Sequence, residues 1–251
     1  MKMKHLAGIL VMALLLAMPT AGAQQRLDAA AVRDDLAALQ RMYAGQFRAT
    51  PFPGIYQMVR QAAPSPRITA PILMTRNAEF TFNNGALGAQ DGETGRRLGH
   101  AEWGALVMRW RQSLRLGDFI QYGGDGPLRM VVMSGFDCPY SRALETALRA
   151  AKARYAVVPG TIGTANQRYL GDIWCASDRA AAWHGAMMSR TLPPRAPASC
   201  RYDADYFGTL QGMLGGSLPM VLYADGTIGS GGDPTQVLAR LAELNGRDVH
   251  F

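Results

Sequence analysis

The fold of this chain can be inferred from one stretch, residues 128–152, which reads LRMVVMSGFDCPYSRALETALRAAK. Its first part, residues 128–134, is a short apolar run between a proline and a glycine, the pattern of a buried strand. Pro139 suits the first position of a helix, where its missing N–H costs nothing. The residues that follow it repeat at the spacing of one helix face, namely Leu144, Ala147, Leu148 and Ala151. A buried strand therefore leads directly into a helix, with Cys138 at the junction.

Cys138 occupies a position at which a thiol can become reactive. The start of a helix presents unpaired N–H groups and a partial positive charge, and both favour the nucleophilic thiolate. Arg142, one turn further on, would strengthen the effect, whereas the carboxylate of Asp137 would oppose it. The alternative is an inert buried cysteine, but the order of strand, Cys, Pro and helix favours a reactive thiol.

The first residues have the three-part pattern of a secretory signal peptide. Lys2 and Lys4 give a positive start, residues 6–18 form an apolar run, and the small residues 21–23 follow. The apolar run is shorter than the ~20 residues that a membrane-spanning helix needs, which argues against an anchor. We therefore expect export, cleavage before Gln24 and no stable membrane insertion of the mature chain.

Composition indicates a globular protein without a nucleic-acid partner. Of the 251 residues, 48% are hydrophobic and 18% are charged, so the chain can bury a core and is not disordered throughout. The formal net charge is +7, yet the basic residues form no long run. The densest group, Arg109, Arg111 and Arg115, has the spacing of a solvated helix face rather than of a nucleic-acid site.

The chain has three cysteines, Cys138, Cys175 and Cys200. In an oxidising compartment two of three normally pair, and the third is an accident, an intermolecular link or a reactive thiol. Cys175 lies in a helical pattern and Cys200 follows a proline-rich loop. A bridge between them would close a loop of about 25 residues, worth roughly 3–4 kcal/mol. No histidine or further cysteine lies at ligand spacing from either, so no metal site is expected.

Hydrophobic periodicity elsewhere predicts helices before residues 128–152 and alternating strands and helices after them. Residues 100–116 are predicted to form a helix, after a glycine-rich boundary at residues 85–99. Further upstream a helix is predicted over residues 27–43, with Val32, Leu36, Leu39 and Tyr43 on its apolar face. The later predictions are a strand at 155–159, a helical insertion at 165–214, a hairpin at 220–230 and a helix at 234–244.

Three motifs resemble the DsbC/DsbG family of bacterial periplasmic thiol:disulfide isomerases, which have a thioredoxin-like fold. They are FDCPYS at residues 136–141, IWCASD at 173–178 with APASC at 196–200, and LGGSLPMVLYADG at 214–226. Their order and spacing extend over about residues 119–244. Residues 52–59 and 72–82 resemble the family's small N-terminal domain more loosely.

The resemblance implies a role for each residue that matches a motif. Cys138 would be the nucleophile, Pro219 a cis-proline facing it, and Cys175 and Cys200 a structural disulfide. Substrate contacts would come from Pro139, Tyr140 and Leu218.

The resemblance also implies the domains and partners. Residues 1–23 would be the signal peptide, 24–99 an α+β dimerisation domain, 100–116 a linker helix, and 117–251 an α/β thioredoxin-like domain with a helical insertion. We expect a periplasmic homodimer that acts on unfolded or mis-disulfided exported proteins without a cofactor.

Two residues depart from the family pattern. Ser141 stands where these isomerases have a second active-site cysteine, and Leu218 stands where they usually have threonine. Without a second thiol, Cys138 cannot form an internal disulfide, although isomerisation needs one thiol in principle. Ser141 could still donate a hydrogen bond to the thiolate, and the bulk of Leu218 could change substrate choice.

Two functions follow from these observations. The first is a single-thiol disulfide isomerase that acts through Cys138. The second is a redox-inactive chaperone or assembly partner in an envelope or secretion complex, motivated by Ser141 and Leu218.

Overall fold

Two five-stranded sheets and seven α-helices make up the part of the chain that the computed structural model describes, residues 28–43, 45–59, 72–82, 89–215 and 217–251. The predicted signal peptide lies outside the described residues. In chain order the elements are α1 Ala29–Met42, β1 Gln46–Ala49, β2 Ile55–Val59, β3 Leu73–Thr75, β4 Phe80–Phe82, β5 Ala89–Asp91, α2 His100–Met108, β6 Ile120–Tyr122, β7 Met130–Gly135, α3 Pro139–Ala150, β8 Tyr155–Gly160, α4 Arg168–Trp174, α5 Arg179–His184, α6 Ala204–Leu214, β9 Met220–Tyr223, β10 Ile228–Ser230 and α7 Pro234–Asn245.

The first sheet is an antiparallel meander in which β1 to β5 lie side by side in sequence order. Helix α1 begins after Asp28, whose carboxylate accepts a hydrogen bond from the Ala30 amide at 2.9 Å. The helix packs Leu39 against Phe47 of β1 and Tyr56 of β2. The apolar face predicted from periodicity is the one that packs here; it comprises Val32, Leu36, Leu39 and Tyr43.

The second sheet has the order β10-β9-β7-β8-β6, and its central strand β7 comes from residues 128–152. Strands β7 and β8 are parallel and are joined by α3, whereas the other neighbouring pairs are antiparallel. Every residue of β7 and β8 is buried, as expected of strands covered on both faces. Helices α3 and α7 pack on one face and α6 on the other. A βαβ unit followed by an insertion and a ββα unit is the thioredoxin arrangement, as predicted.

The insertion between β8 and β9 is less helical than its pattern predicts. Helices α4 and α5 are followed by a π-helical turn, Gly185–Ser189, and the chain then runs without helix from Arg190 to α6. This non-helical part contains Pro193, Pro194 and Pro197. Proline lacks the N–H that a helix interior needs, so this part agrees with the proline-rich loop predicted before Cys200, and the helical pattern of 165–214 does not extend through it.

The helix predicted over residues 100–116 is also shorter than expected, because α2 ends at Met108. Two 3-10 turns, Arg111–Ser113 and Leu116–Asp118, follow it. The change of geometry lets the Trp110 indole donate to the Pro53 carbonyl at 2.6 Å. Side-chain and backbone contacts of this kind outweigh the intrinsic helix preference of the segment.

The two sheets share one hydrophobic cluster. The Phe52 ring stacks on Tyr206 of α6, with centroids 5.1 Å apart, and the Trp103 indole of α2 donates to the Met213 carbonyl at 2.8 Å. At the surface, Arg48 of β1 pairs with Asp205 of α6 at 2.9 Å. None of the helices within the described ranges has the length and apolar character needed to cross a membrane.

Candidate active site

Cys138 is the residue that caps the N-terminus of α3, directly after the buried strand β7. Its backbone is extended, with φ −94° and ψ 122°, and its amide donates to the Gly135 carbonyl at 3.0 Å. Pro139 takes the first helical position, as predicted. The Cys138 side chain makes no capping hydrogen bond to the N–H groups of the first turn of α3. The local sequence thus places a free thiol beside the positive end of a helix dipole.

The peptide bond between Leu218 and Pro219 is cis and lies opposite Cys138. The Cys138 thiol donates to the Leu218 carbonyl oxygen across a sulfur–oxygen distance of 3.4 Å. Gly231 packs against the proline, and its amide donates to the Pro219 carbonyl at 2.9 Å. A β-carbon at Gly231 would lie 2.7 Å from Pro219 Cγ, so the approach requires glycine.

The Leu218 side chain fills the space next to the cysteine. A β-carbon at Gly135 would lie 2.7 Å from Leu218 Cδ1 and 3.3 Å from Cys138 Cβ. Leu218 is half-buried, and Cys138 is only 1% exposed. The thiol is therefore covered in this conformation, and a disulfide can reach it only if its surroundings move. Leu218 adds bulk beside the sulfur, in agreement with the expectation from the sequence.

Ser141 is buried in the first turn of α3 and faces the end of β7. In the described part of the chain, its hydroxyl makes one hydrogen bond, which it accepts from the Gly135 amide at 3.0 Å. The expected hydrogen bond from Ser141 to the sulfur is not formed in this conformation. Ser141 instead holds the strand-to-helix turn on which Cys138 stands.

The two charged neighbours of Cys138 are bound to other parts of the fold. The Asp137 carboxylate accepts four hydrogen bonds from the segment after β8; the donors are the Thr161 hydroxyl at 2.6 Å, the Ile162 amide at 2.8 Å, the Gly163 amide at 3.1 Å and the Asn166 side chain at 2.8 Å. Burial acts to raise the pKa of Asp137, but these hydrogen bonds outweigh it and hold that pKa below its ordinary value. Arg142 donates through Nε to the Met187 carbonyl at 2.8 Å.

A buried carboxylate lies on the same face of α3 as Ser141. Glu145 is 1% exposed; its carboxylate accepts from the Ser134 hydroxyl at 2.5 Å and from the Trp183 indole at 3.0 Å. Burial raises its pKa to about 7, against the lowering effect of these two donors. Sequence reasoning missed this residue, although a glutamate next to Leu144 on the apolar face of α3 was a visible signal.

The surface around Cys138 carries two large exposed apolar side chains. Tyr140 of α3 is 63% exposed, and Ile162, in the segment held by Asp137, is 60% exposed. Pro139, which directly precedes Tyr140 in the chain, is also exposed. Of the residues expected to contact substrate, Pro139 and Tyr140 are accessible and Leu218 is half-buried.

The other two cysteines lie away from this site. The structure joins Cys175, just after α4, to Cys200 in a disulfide with an S–S distance of 1.99 Å and a Cα–Cα distance of 6.1 Å. This pairing agrees with the one that the family resemblance implies. Within the described ranges, no group of three or more His, Cys, Asp and Glu side chains is placed to hold a metal ion.

Comparison with known proteins gives partial structural similarities. No protein-family model and no curated protein matches the chain. A disulfide interchange protein from Neisseria gonorrhoeae is 23% identical over 54% of this chain and 100% of its own, with a TM-score of 0.45. ScsC from Proteus mirabilis, in a compact conformation, is 14% identical over 51% of this chain and 73% of its own, with a TM-score of 0.38.

Proposed function

We propose that this protein is a single-thiol disulfide isomerase in which Cys138 is the nucleophile. The observation that carries the proposal is the placement of a free cysteine at the N-terminus of α3, with its sulfur against the cis Leu218–Pro219 peptide. The thiol lies at the positive end of the α3 dipole, and the exposed side chains of Tyr140 and Ile162 offer apolar contacts to a client chain.

The reaction consists of two exchange steps. The Cys138 thiolate attacks one sulfur of a wrongly paired client disulfide, which gives a mixed disulfide and releases a client thiolate. A client thiolate then attacks the mixed disulfide, forms a new client bond and regenerates the Cys138 thiolate. Electrons are conserved over the cycle, so no second cysteine at position 141 is required. Losing the Cys138 proton also removes the hydrogen bond to Leu218, which frees that carbonyl.

The clients that we propose are unfolded or mis-disulfided exported proteins, and the compartment is the periplasm. The signal-peptide pattern before Gln24 and the resemblance of the motifs around Cys138 and Pro219 support this assignment. The same resemblance supports a homodimer formed through the N-terminal domain.

A refolding assay with scrambled ribonuclease and a trace of reduced thiol tests the proposal. The wild-type protein should accelerate recovery of ribonuclease activity, and Cys138→Ser, which replaces only the sulfur, should not. Ser113→Ala, at a half-buried serine in a 3-10 turn, serves as the matched control and should retain wild-type activity. Equal recovery with wild type and Cys138→Ser would refute catalysis by this thiol.

The burial of Cys138 favours one competing function, a redox-inactive chaperone or an assembly partner in an envelope or secretion complex. On this alternative, aggregation of a reduced client is suppressed equally by wild type and Cys138→Ser, and neither restores native disulfides. The two assays together therefore separate the two functions.

A further inference from the structure

A cavity of about 240 Å³ lies beside the Cys138 junction, between the start of α3 and the helical insertion. Phe136 and Asp137, which immediately precede the cysteine, line it together with Arg142 one turn after the cysteine. On the insertion side its walls include Tyr169 of α4 and Arg190. The cavity is thus lined by residues that flank Cys138 on both sides in the sequence, although Cys138 itself does not line it.

The cavity is electrostatically suited to an anion. Neither Arg142 nor Arg190 forms an ion pair with a carboxylate among the described residues. Asp137 is the acidic side chain in the lining, and its charge is already stabilised by four hydrogen bonds. Two arginines without an ion pair therefore line the cavity together with one carboxylate that is already hydrogen-bonded, and guanidinium groups bind carboxylates well.

Two uncommon backbone conformations, a π-helical turn and a left-handed residue, position the cavity wall around Arg190. The π-helical turn Gly185–Ser189 directs the Met187 carbonyl to Arg142 Nε, at 2.8 Å. Arg190 follows it in the left-handed conformation, with φ 55°. Single π turns and left-handed non-glycine residues concentrate at functional sites, because both cost energy in an ordinary segment.

We propose that this cavity binds the carboxylate of a low-molecular-weight thiol, which resolves mixed disulfides at Cys138. The inference rests on the proposed exchange function of that thiol. Ser141 provides no internal thiol to release a stalled client, so the resolving thiol must come from elsewhere. The size of the cavity is below the roughly 300–1,000 Å³ of sites for drug-sized ligands, which favours a small molecule.

The resolving reaction is balanced by the small thiol alone. A bound thiolate RS⁻ attacks the Cys138 sulfur of the mixed disulfide; the client leaves as a thiolate and takes up the proton that RSH gave up. A second RS⁻ attacks the R sulfur of R–S–S–Cys138, which releases RSSR and the Cys138 thiolate. Two RSH molecules are oxidised to RSSR, and the client cysteine is reduced.

Release of thiopyridone from a pyridyl mixed disulfide at Cys138 tests the inference. The full chain is labelled with dithiodipyridine and then treated with mercaptoacetate or with its neutral amide, and rates are expressed per thiolate. Each rate is divided by that for the same adduct of free cysteine. The wild-type protein should prefer the carboxylate by about tenfold, the scale of one charged hydrogen bond. Arg190→Gln should bring the ratio close to one.

The control is Arg195→Gln, which removes the same charge from an exposed position that does not line the cavity, and it should keep the wild-type ratio. A ratio near one for the wild type, or an equal loss in both variants, would overturn the carboxylate site. Release by the neutral amide shows whether the carboxylate site alone is wrong or the proposed exchange function as well. If Cys138 takes no label, or if the neutral thiol cannot release it, then the exchange chemistry itself is wrong.

Discussion

Leu218 lies against Cys138 with both its side chain and its backbone carbonyl. Its side chain lies next to the Cys138 β-carbon across Gly135, and its carbonyl accepts the thiol hydrogen bond. The sulfur of a cysteine that is 1% exposed can react only after a local opening, whose free energy adds to the barrier. A smaller side chain at this position lowers that free energy without changing the helix terminus.

We therefore expect Leu218→Thr to raise the alkylation rate of Cys138 by roughly tenfold, because exposure limits the reaction of a buried thiol. The measurement is labelling with iodoacetamide, followed by mass spectrometry of the intact chain. Leu238→Thr, at a half-buried leucine of α7, controls for general destabilisation and should leave the rate near the wild-type value. Equal rates for Leu218→Thr and wild type would show that another group covers the thiol.

At the scale of the element, helix α3 has a polar strip on its buried face, formed by Ser141 and Glu145. The strip connects the helix to the end of β7 through Gly135 and Ser134, and to α5 through Trp183. Since the folded-state pKa of Glu145 is about 7, against an ordinary value of 4.5, folding takes up a proton between these pH values. Glu145 therefore reduces stability progressively as the pH rises from about 4.5 to 7.

The variant Glu145→Gln removes this titration and keeps an oxygen for the Ser134 and Trp183 donors. Its free energy of unfolding should change less between pH 5 and pH 8 than that of the wild type, by on the order of 2 kcal/mol. Urea unfolding at the two pH values measures the difference. Glu93→Gln, at an exposed position, is the control and should follow the wild-type profile. An unchanged pH dependence in Glu145→Gln would show that Glu145 does not titrate in this range.

The elements differ in how far the sequence could predict them. Strand β7 and helix α3 were predictable because a continuous apolar run and a 3.6-residue period are local signals. The early end of α2 was not, because it depends on the Trp110 indole reaching the Pro53 carbonyl, a contact between residues far apart in sequence. The bulk of Leu218 near the sulfur was expected from the sequence, but the nearly complete burial of Cys138 was not, because it depends on packing between segments far apart in sequence.

At the scale of the whole molecule, the N-terminal sheet and the thioredoxin-like sheet are held together by packing on α6. Phe52 is fully buried, stacks on Tyr206, and belongs to the cluster that also contains β7 and β9 residues. A second cluster, around Phe47 and Leu39, lies within the N-terminal unit. Because the first cluster crosses between the units, we expect them to unfold in one cooperative transition.

Removing the Phe52 ring, which packs on α6, should uncouple the unfolding of the N-terminal sheet from that of the thioredoxin-like sheet. Phe52→Ala removes a buried ring at a cost of about 3–5 kcal/mol, and this loss falls on the interface with α6. Urea unfolding followed by far-UV circular dichroism and by tryptophan fluorescence should give coincident transitions in the wild type and separated transitions in Phe52→Ala. Phe47→Ala removes the same ring from within the N-terminal unit, so its transitions should shift but remain coincident. Separated transitions in the wild type would mean that the two sheets already unfold independently, because the shared cluster then contributes too little to couple them.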